Sequence, residues 1–327
     1  MTKPPVLLAH ALFPEVTERL RVQLDVEENT TGQPWSQPEL IARLQGKAGV
    51  LVATTERIDA ALLAACPQLR AVCSMAVGYN NIDVAACTAA GVRVSNAPGV
   101  LTETTADFGF ALMMAAARSI TESEHYLRRG EWRHWRPDLF ARGDVHGTTL
   151  GILGMGRIGS AIARRGALGF GMRVVYHNRH PLPADAAAAL GDAGWVSKAD
   201  LLRQADHLII VVPYSAETHH AIGEAELALM KPGATLTNIA RGGVVDDAAL
   251  ARALHAGRLA AAGLDVFEHE PAVHPDLLTA PHVVLTPHIA SGSRATRVAM
   301  ASLAADNLLA ALSGQPMKTP LNTLPTA

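Results

Sequence analysis

Short apolar runs alternate with amphipathic segments along most of the chain. This alternation predicts βαβ units and parallel sheets rather than a β-sandwich or a helical bundle. In the first hundred residues it predicts strands at 6–9, 24–26, 49–53 and 70–75, with helices at 38–44 and 58–65. A second series predicts strands at 149–153, 173–176, 207–212, 235–240, 259–264 and 282–285. The sequence therefore predicts an α/β protein with two doubly wound parallel sheets.

Two long helical segments lie outside these series. Residues 101–128 contain mostly strong helix formers around an apolar centre, so we expect a helix that packs between domains or subunits. Residues 293–313 predict the last helix, which Gly314 and Pro316 end. No internal repeat with a solenoid period accompanies either segment.

Composition excludes several classes of protein. The chain has 327 residues, enough for two domains, and its net charge of −2 argues against a nucleic-acid binder or a polybasic membrane-surface protein. Its 3 cysteines have no CxxC spacing, so we expect reduced thiols rather than a disulfide framework or a cysteine zinc site. The apolar runs are too short for a signal peptide or a membrane span. These features predict a cytoplasmic protein without a membrane partner.

A glycine-rich turn follows the strand predicted at 149–153. Gly154, Gly156 and Gly159 form a GxGxxG pattern that leads directly into a predicted helix. The first glycine permits the tight turn, the second lets a pyrophosphate approach the backbone, and the third lets helix and strand pack closely. The free N–H groups of the helix N-terminus then bind the phosphates. A dinucleotide site is predicted here, the alternative being an ordinary glycine-rich turn.

The next strand determines which dinucleotide is expected. NAD-specific sites usually carry Asp or Glu there to bind the ribose 2′-hydroxyl. This chain has the string YHNRH at residues 176–180, with Arg179 lying 20 residues after Gly159. A guanidinium can bind a 2′-phosphate, which a carboxylate would repel. NADP(H) is therefore predicted as the preferred cofactor with NAD(H) as the second candidate, unless Arg179 is only a solvated loop residue.

Chemically capable side chains follow three successive strands. Arg241 follows the strand at 235–240, Asp265 and Glu270 follow the strand at 259–264, and His288 follows the strand at 282–285. Ligands of open α/β sheets bind outside the carboxyl ends of the strands. Reduction of a 2-keto acid needs a cation to hold the carboxylate and an acid to protonate the new alkoxide. Arg241 and His288 suit these tasks, and Glu270 could fix the tautomer of His288 and favour its protonated form.

No metal site is predicted. The string HEPAVH at residues 269–274 has HExxxH rather than HExxH spacing, and its proline breaks the helix that a zinc site of this kind needs. His219 and His220 are adjacent in sequence, so on a helix they would diverge and act as weak ligands. Apart from His288, the histidines are expected to be solvated or simply hydrogen-bonded.

Several strings together resemble the D-isomer-specific 2-hydroxyacid dehydrogenases. They are NIARG at 238–242, AGLDVFEHEP at 262–271, TPHI at 286–289, VGYNNID at 77–83 and LTETTAD at 101–107, so the likeness covers nearly the whole chain. The pattern GxWxxWxP at 130–137, ETHH at 217–220 and GQP at 314–316 are similar to the glyoxylate/hydroxypyruvate reductase branch, which includes 2-ketogluconate reductases.

The resemblance implies roles for individual residues. His288 would be the proton donor, Glu270 its partner and Arg241 the substrate anchor, with Val77 and Gly78 holding the substrate carboxylate through backbone N–H groups. Around the cofactor it implies contacts from Arg157, Ile158, Pro213, Ile239, Asp265, Ala290 and Thr105. It also implies a homodimer formed through residues 101–128, with Trp135 entering the neighbouring subunit's active site.

The resemblance also implies a discontinuous fold. A Rossmann domain at residues 101–287 would be inserted into a flavodoxin-like substrate domain formed by residues 1–100 and 288–327. The expected activity is NADPH-dependent reduction of glyoxylate, hydroxypyruvate or 2-ketogluconate to the D-2-hydroxy acid. The alternatives are a phosphoglycerate or phosphite dehydrogenase and a dinucleotide-sensing corepressor. A formate dehydrogenase fits less well, because that branch has Gln where this chain has Glu270.

Overall fold

A computed structural model describes residues 2–324 of the chain. It divides into two compact units: one consists of the chain up to Leu101 and from Ser293 onward, and the other of Thr102–Gly292. No helix among the described residues has the length and apolar character that crossing a membrane requires.

The discontinuous unit contains a five-stranded parallel sheet. Its strands are β1 (Pro5–Leu8), β2 (Asp25–Glu28), β3 (Gly49–Val52), β4 (Ala71–Ser74) and β5 (Arg93–Ser95), in the order β2-β1-β3-β4-β5. This is the flavodoxin-like order, as expected. Its helices are α1 (Pro14–Gln23), α2 (Gln37–Leu44), α3 (Ala60–Ala65), α4 (Val84–Ala89) and α13 (Arg294–Leu312).

Both faces of this sheet are buried, which explains the continuous apolar strands. Along β1, Val6 and Leu8 belong to the core cluster that includes α1 and α13, whereas Leu7 belongs to the cluster on the opposite face. A parallel sheet covered on both faces needs no alternation of apolar and polar positions. Helix α13 begins where the Ser293 hydroxyl accepts a hydrogen bond from the Thr296 amide at 3.2 Å, an N-cap.

The continuous unit contains a seven-stranded parallel sheet. Its strands are β6 (Thr149–Leu153), β7 (Arg173–His177), β8 (Gly194–Trp195), β9 (His207–Ile210), β10 (Thr235–Asn238), β11 (Ala261–Leu264) and β12 (Val283–Leu285), in the order β12-β11-β10-β9-β6-β7-β8. This is the Rossmann order with one added strand. The chain reverses direction across the sheet between β6 and β9, so ligands are expected at the carboxyl ends of these strands.

Eight α-helices are described in this unit. They are α5 (Thr102–Ala117), α6 (Ile120–Arg128), α7 (Arg157–Arg164), α8 (Ala184–Ala188), α9 (Lys198–Gln204), α10 (Glu224–Leu227), α11 (Asp247–His255) and α12 (Pro275–Thr279). Helix α7 continues as a π-helical turn over Arg165–Gly169. Helix α5 packs closely on β11, because a Cβ on Gly263 would lie 2.8 Å from Cγ of Leu112.

The prediction of one continuous helix over 101–128 was wrong. The chain breaks between α5 and α6 at Ser119, whose φ is +50°, and the Ser119 amide donates to the Ala116 carbonyl in a tightened last turn. The Ser119 hydroxyl also accepts a hydrogen bond from Nε of Arg142 at 3.0 Å. Strands β5 and β8 were missed, since three and two residues are too few to show a period.

The second boundary between units lies five residues beyond the predicted one. Residues 288–292 belong by contact to the Thr102–Gly292 unit rather than to the discontinuous one. The reason is local, because the amides of Ile289 and Ala290 donate to the Asp265 carboxylate at 2.8 Å each. His288 therefore belongs to the same unit as Arg241 and Glu270.

Buried His207 should make stability pH-dependent. Burial lowers its pKa, partly opposed by its hydrogen bond to the Asp144 carbonyl and by the charge of Asp206. As pH falls below about 6.5, the unfolded chain takes up a proton that the folded one resists, so stability is lost. We expect the free energy of unfolding to fall by up to about 1.4 kcal/mol per pH unit through this site. In urea unfolding at pH 7.5 and 5.5, His207→Asn should reduce this loss, whereas exposed His255→Asn should not; equal pH dependence in all three proteins would contradict the assignment.

Candidate active site

The turn between β6 and α7 has the shape that the glycine pattern predicts. Gly154 has φ +104°, and a Cβ there would lie 2.8 Å from the Val211 and Val212 backbone. A Cβ on Gly159 would lie 2.2 Å from the Gly154 carbonyl oxygen, so helix and turn are in direct contact. Gly156, the N-cap of α7, faces open space: a Cβ there would meet no protein atom within 4 Å. Packing thus explains two of the glycines, and the open cradle at the third fits a dinucleotide pyrophosphate.

Sequence reasoning missed Asn178, which holds this turn. Its side chain accepts a hydrogen bond from the Met155 amide at 2.7 Å and donates to the Met155 carbonyl at 3.1 Å. Trp195 donates from Nε1 to the Asn178 carbonyl at 3.0 Å and stacks on His177. The sequence does show an asparagine directly after β7, the strand that follows the glycine turn, and this position could have indicated a contact with the turn.

Arg179 is exposed directly after β7 and makes no hydrogen bond to another described residue. Hydrogen bonds to Ser215 and to its own backbone lower the pKa of Glu217, and the positive charge of Arg179 acts in the same direction. The guanidinium therefore lies within electrostatic reach of the loop that follows β9, with its donors free for an anion.

His288 and Glu270 form a hydrogen-bonded pair. Nδ1 of His288 lies 2.8 Å from Oε2 of Glu270, and each side chain is about one-third exposed, at 32% and 33%. The other carboxylate oxygen of Glu270 accepts a hydrogen bond from the Phe267 amide at 3.0 Å. Burial opposes ionisation of Glu270, but the His288 hydrogen bond, the His288 charge, the Phe267 amide and Arg241 outweigh it and lower its pKa. The pair orients His288 with Nε2 free of described partners.

Arg241 interacts electrostatically with Glu270 of this pair. Its Nη1 donates to the Ala240 carbonyl at 2.7 Å, the one hydrogen bond described for its guanidinium. Burial lowers the pKa of Arg241, and the negative charge of Glu270 opposes that shift. The backbone beside it is tightly packed, because a Cβ on Gly242 would lie 1.6 Å from the Phe267 carbonyl oxygen. The loops after β10 and β11 are therefore in contact, which brings Arg241 to Glu270.

Asp265 holds the loop that carries His288. Its residue is fully buried, and its carboxylate accepts hydrogen bonds from Thr286 at 2.7 Å and from the Ile289 and Ala290 amides at 2.8 Å each. Burial raises its pKa in spite of these bonds and of the nearby His288. The carboxylate thus anchors the loop that carries His288, and its contact with a cofactor carboxamide stays a prediction.

The remaining cofactor candidates differ in accessibility. Arg157 and Pro213 are exposed and Ile158 is half-buried, whereas Ile239 and Ala290 are buried. Thr105 is also buried, and its hydroxyl has no hydrogen-bond partner among the described residues. The cofactor contacts of these six residues stay predictions.

Three further residues are predicted to contact the substrate. Val77 and Gly78 lie in the loop after β4 of the discontinuous unit, half-buried, and neither amide makes a hydrogen bond to another described residue. Trp135 is 74% exposed in the irregular segment after α6. Their roles stay predictions.

The expectation that His219 and His220 diverge was wrong. Their rings are stacked, with centroids 4.0 Å apart and planes at 24°. Residues 216–220 form turns rather than a helix, and His220 has φ +49°. The helical geometry on which the expectation rested is absent from this segment.

The Asp265 anchor gives a stability prediction. Asp265→Ala leaves the amides of Ile289 and Ala290 without an acceptor, at about 1–3 kcal/mol each, whereas the Thr286 hydroxyl keeps the Leu264 carbonyl at 3.3 Å, so we expect at least about 2 kcal/mol of lost stability. Asp265→Asn keeps one acceptor and should cost less. Asp246→Ala, which removes an ordinary N-cap, should cost about 1 kcal/mol. Urea unfolding measures these values, and hydrogen exchange at Ile289 and Ala290 reports the loop; an Asp265→Ala loss no larger than that of the Asp246 control would refute the anchor.

Comparison with known proteins places this geometry in a family. The family described as "D-isomer specific 2-hydroxyacid dehydrogenase, NAD binding domain" matches residues 110–290. A glyoxylate reductase of Aeropyrum pernix is 46% identical over 96% of this chain and 95% of its own length. A glyoxylate/hydroxypyruvate reductase B of Klebsiella pneumoniae is 43% identical over 98% of each chain.

Solved structures agree with this placement. The NADPH-dependent glyoxylate/hydroxypyruvate reductase of Sinorhizobium meliloti, in complex with NADP and malonate, is similar with a TM-score of 0.86 at 35% identity, over 100% of both chains. The matches cover both units and include the glycine turn and the Arg241, Glu270 and His288 segments of the Thr102–Gly292 unit. The chain therefore belongs to the D-isomer-specific 2-hydroxyacid dehydrogenases, oxidoreductases that use a nicotinamide dinucleotide.

Proposed function

We propose that this chain is an NADPH-preferring reductase of small 2-keto acids, with glyoxylate and hydroxypyruvate as first candidates and 2-ketogluconate as a further one. Its product is the D-2-hydroxy acid. The observation that carries the proposal is the pairing of His288 with Glu270 at 2.8 Å beside Arg241. The Aeropyrum, Klebsiella and Sinorhizobium relatives are glyoxylate or glyoxylate/hydroxypyruvate reductases by name, which supports the choice of substrates.

Arg241 binds the substrate in this proposal. Its guanidinium stays charged at neutral pH and has donors left over after the bond to Ala240, so it can hold a carboxylate and polarise the adjacent carbonyl. The half-buried position strengthens this interaction, because less water screens it. Val77 and Gly78 are proposed to complete the grip on the carboxylate with their backbone amides.

His288 delivers the proton. Nδ1 is held by the Glu270 carboxylate, which leaves Nε2 to donate to the carbonyl oxygen as it becomes an alkoxide. When bound, the reduced nicotinamide supplies the hydride that the carbonyl carbon receives. The Glu270 carboxylate stabilises the protonated imidazole before the transfer, and Asp265 positions it by fixing residues 286–290. Protonated His288 and Arg241 are positively charged and the Glu270 carboxylate is negatively charged, so these three groups together carry one net positive charge. The negative charge of the substrate carboxylate balances it.

A homodimer and a cytoplasmic location are part of the proposal. Helix α6 buries none of its residues within the chain, and Ile120 and Leu127 on it are 51% and 56% exposed. Trp132 and Trp135 in the segment after it are also exposed. Exposed apolar side chains grouped along one segment are typical of surfaces that another chain covers.

The pair gives a prediction for kinetics. His288→Ala should lower kcat for glyoxylate reduction by about 10²–10⁴-fold and leave NADPH binding intact, because only the proton donor is lost. His269→Ala, an exposed histidine on the Glu270 loop, is the matched control and should keep normal turnover. Steady-state assays measure kcat, and fluorescence titration with NADPH measures cofactor binding. A His288→Ala enzyme that retains a tenth of the wild-type kcat would exclude the acid role.

Removal of the Glu270 charge tests this residue separately. Since its pKa lies below the ordinary 4.5, its carboxylate stays ionised through the neutral range. Glu270→Gln replaces the ionised acceptor on Nδ1 of His288 with a neutral amide that can also turn its NH₂ group toward the ring, so kcat for glyoxylate reduction at pH 7 should fall while NADPH binding stays intact. Steady-state assays and fluorescence titration with NADPH measure the two quantities. A wild-type kcat in Glu270→Gln would mean that Glu270 does not act through the histidine.

Cofactor preference depends on Arg179. In assays that follow the nicotinamide absorbance with a panel of 2-keto acids, kcat/KM should be higher with NADPH than with NADH. Arg179→Ala should lower kcat/KM for NADPH at least about 10-fold and leave that for NADH nearly unchanged, since one charge-assisted bidentate contact is lost. Arg173→Ala, at the amino end of the same strand, is the control and should affect neither.

Other outcomes of the same panel would contradict the proposal. A wild-type preference for NADH would overturn the cofactor assignment. Turnover only with 3-phosphoglycerate or phosphite would point to another branch of the family, and tight dinucleotide binding without any turnover would point to a dinucleotide-sensing scaffold.

A further inference from the structure

Two histidines and a glutamate form a cluster that the proposed reaction does not use. His219 and His220 lie in the loop after β9, and Glu268 lies in the loop after β11. Each offers one ligand atom, and these three atoms lie within 4.8 Å of one another. None of the three belongs to the His288 and Glu270 pair, so the cluster needs its own explanation.

The backbone holds both loops in place. The His220 amide donates to the Gly243 carbonyl at 2.7 Å, and the Glu268 amide donates to the Asp247 carboxylate at 3.0 Å. The Thr218 hydroxyl donates to the Pro213 carbonyl at 2.8 Å, which closes the first loop on itself. The cluster is therefore built on fixed backbone, the condition for a ligand set that needs little reorganisation.

In each histidine the two ring nitrogens have different neighbours. Nε2 of His220 lies 2.8 Å from Oε1 of Glu268, while its Nδ1 lies 4.0 Å from Oδ2 of Asp246 on the other edge of the ring. Nδ1 of His219 lies 3.2 Å from the Tyr214 hydroxyl, which leaves its Nε2 without a described partner. Imidazole ligands in metal sites commonly have an oxygen hydrogen-bonded to the second nitrogen, as His219 has in Tyr214, whereas Asp246 is an acidic neighbour of His220 beyond hydrogen-bond distance.

We propose that His219, His220 and Glu268 bind one divalent transition-metal ion of the Zn²⁺ class. Two imidazoles and a carboxylate suit Zn²⁺, Co²⁺ or Ni²⁺ rather than Mg²⁺ or Ca²⁺, which prefer oxygen ligands. On binding, the metal takes the position between Nε2 of His220 and Oε1 of Glu268, and the neutral imidazole carries its one N–H on Nδ1, on the side of Asp246. Three protein ligands leave a fourth position for water.

Small movements of exposed side chains complete the geometry. Ligand bonds of about 2.0–2.1 Å place tetrahedral donor atoms roughly 3.3 Å apart. The present separations of up to 4.8 Å approach that value when the exposed His219 ring rotates out of its stack on His220, because two stacked rings do not direct their nitrogen lone pairs at one ion. The ion would join the loop after β9 to the loop that carries Glu268 and, two residues later, Glu270.

Metal titration of the tag-free, chelator-treated full chain tests this site. Calorimetry with ZnCl₂ should show one ion per chain, and CoCl₂ should give the visible absorption of a tetrahedral or five-coordinate ion. His219→Ala and His220→Ala should each weaken Zn²⁺ binding at least 10-fold, and Glu268→Gln should weaken it about as much. The control His255→Ala removes an exposed histidine on α11 and should bind Zn²⁺ as the wild type does.

Three results would overturn the site. The first is that the wild-type protein binds no Zn²⁺ at 100 μM. The second is that His219→Ala and His220→Ala bind Zn²⁺ as tightly as the wild type, and the third is that the wild type binds Mg²⁺ more tightly than Zn²⁺. Circular dichroism and thermal unfolding without metal identify any variant that fails to fold, and His220→Asn then replaces it. Saturating Zn²⁺ should also raise the Tm of the wild type but not that of His220→Ala, because the ion binds only the folded chain.

Discussion

One buried carboxylate, that of Asp265, determines the geometry of the loop that carries His288. Its oxygens accept hydrogen bonds from the Thr286 hydroxyl and from the Ile289 and Ala290 amides, which flank His288 on both sides. Desolvation of an ionised group is costly, and the raised pKa of Asp265 shows that these bonds do not offset the burial completely. His288 itself has φ +52°, a left-handed conformation that costs about 1 kcal/mol or more outside glycine. The unit therefore gives up stability to hold this side chain in one orientation.

The parallel topology of the sheet explains why the remaining side chains meet there. Strands β10, β11 and β12 are neighbours and point the same way, so the loops after them emerge at one edge. Gly242 brings the first two of these loops into contact, and the Phe267 amide fixes Glu270 between Arg241 and His288. The same convergence of loops, after β9 and β11, also brings the two stacked histidines to Glu268. One architectural rule thus accounts for the proposed catalytic pair and for the proposed metal site.

Most of the fold followed from local pattern, and the exceptions have local causes. Strands such as β6 and β9 are continuous apolar runs bounded by polar residues, because a sheet covered on both faces buries every side chain. Strand β8 has two residues and shows no period at all. The break at Ser119 occurs inside a sequence of good helix formers, and the Arg142 side chain that contacts it lies 23 residues further along. Propensity alone cannot register a contact of that kind.

The sequence by itself determined the chemistry available: a glycine turn after a strand, a cation, and an acid and a histidine 18 residues apart, each in the segment that follows a predicted strand. Those patterns are local, and strand order fixes their common edge. Only the tertiary structure decided which groups touch. It turned Asp265 inward as an anchor, assigned Asn178 to the glycine turn, and stacked His219 on His220. Each of these outcomes depends on backbone dihedrals and on hydrogen bonds between residues distant in sequence, which periodicity and spacing do not encode.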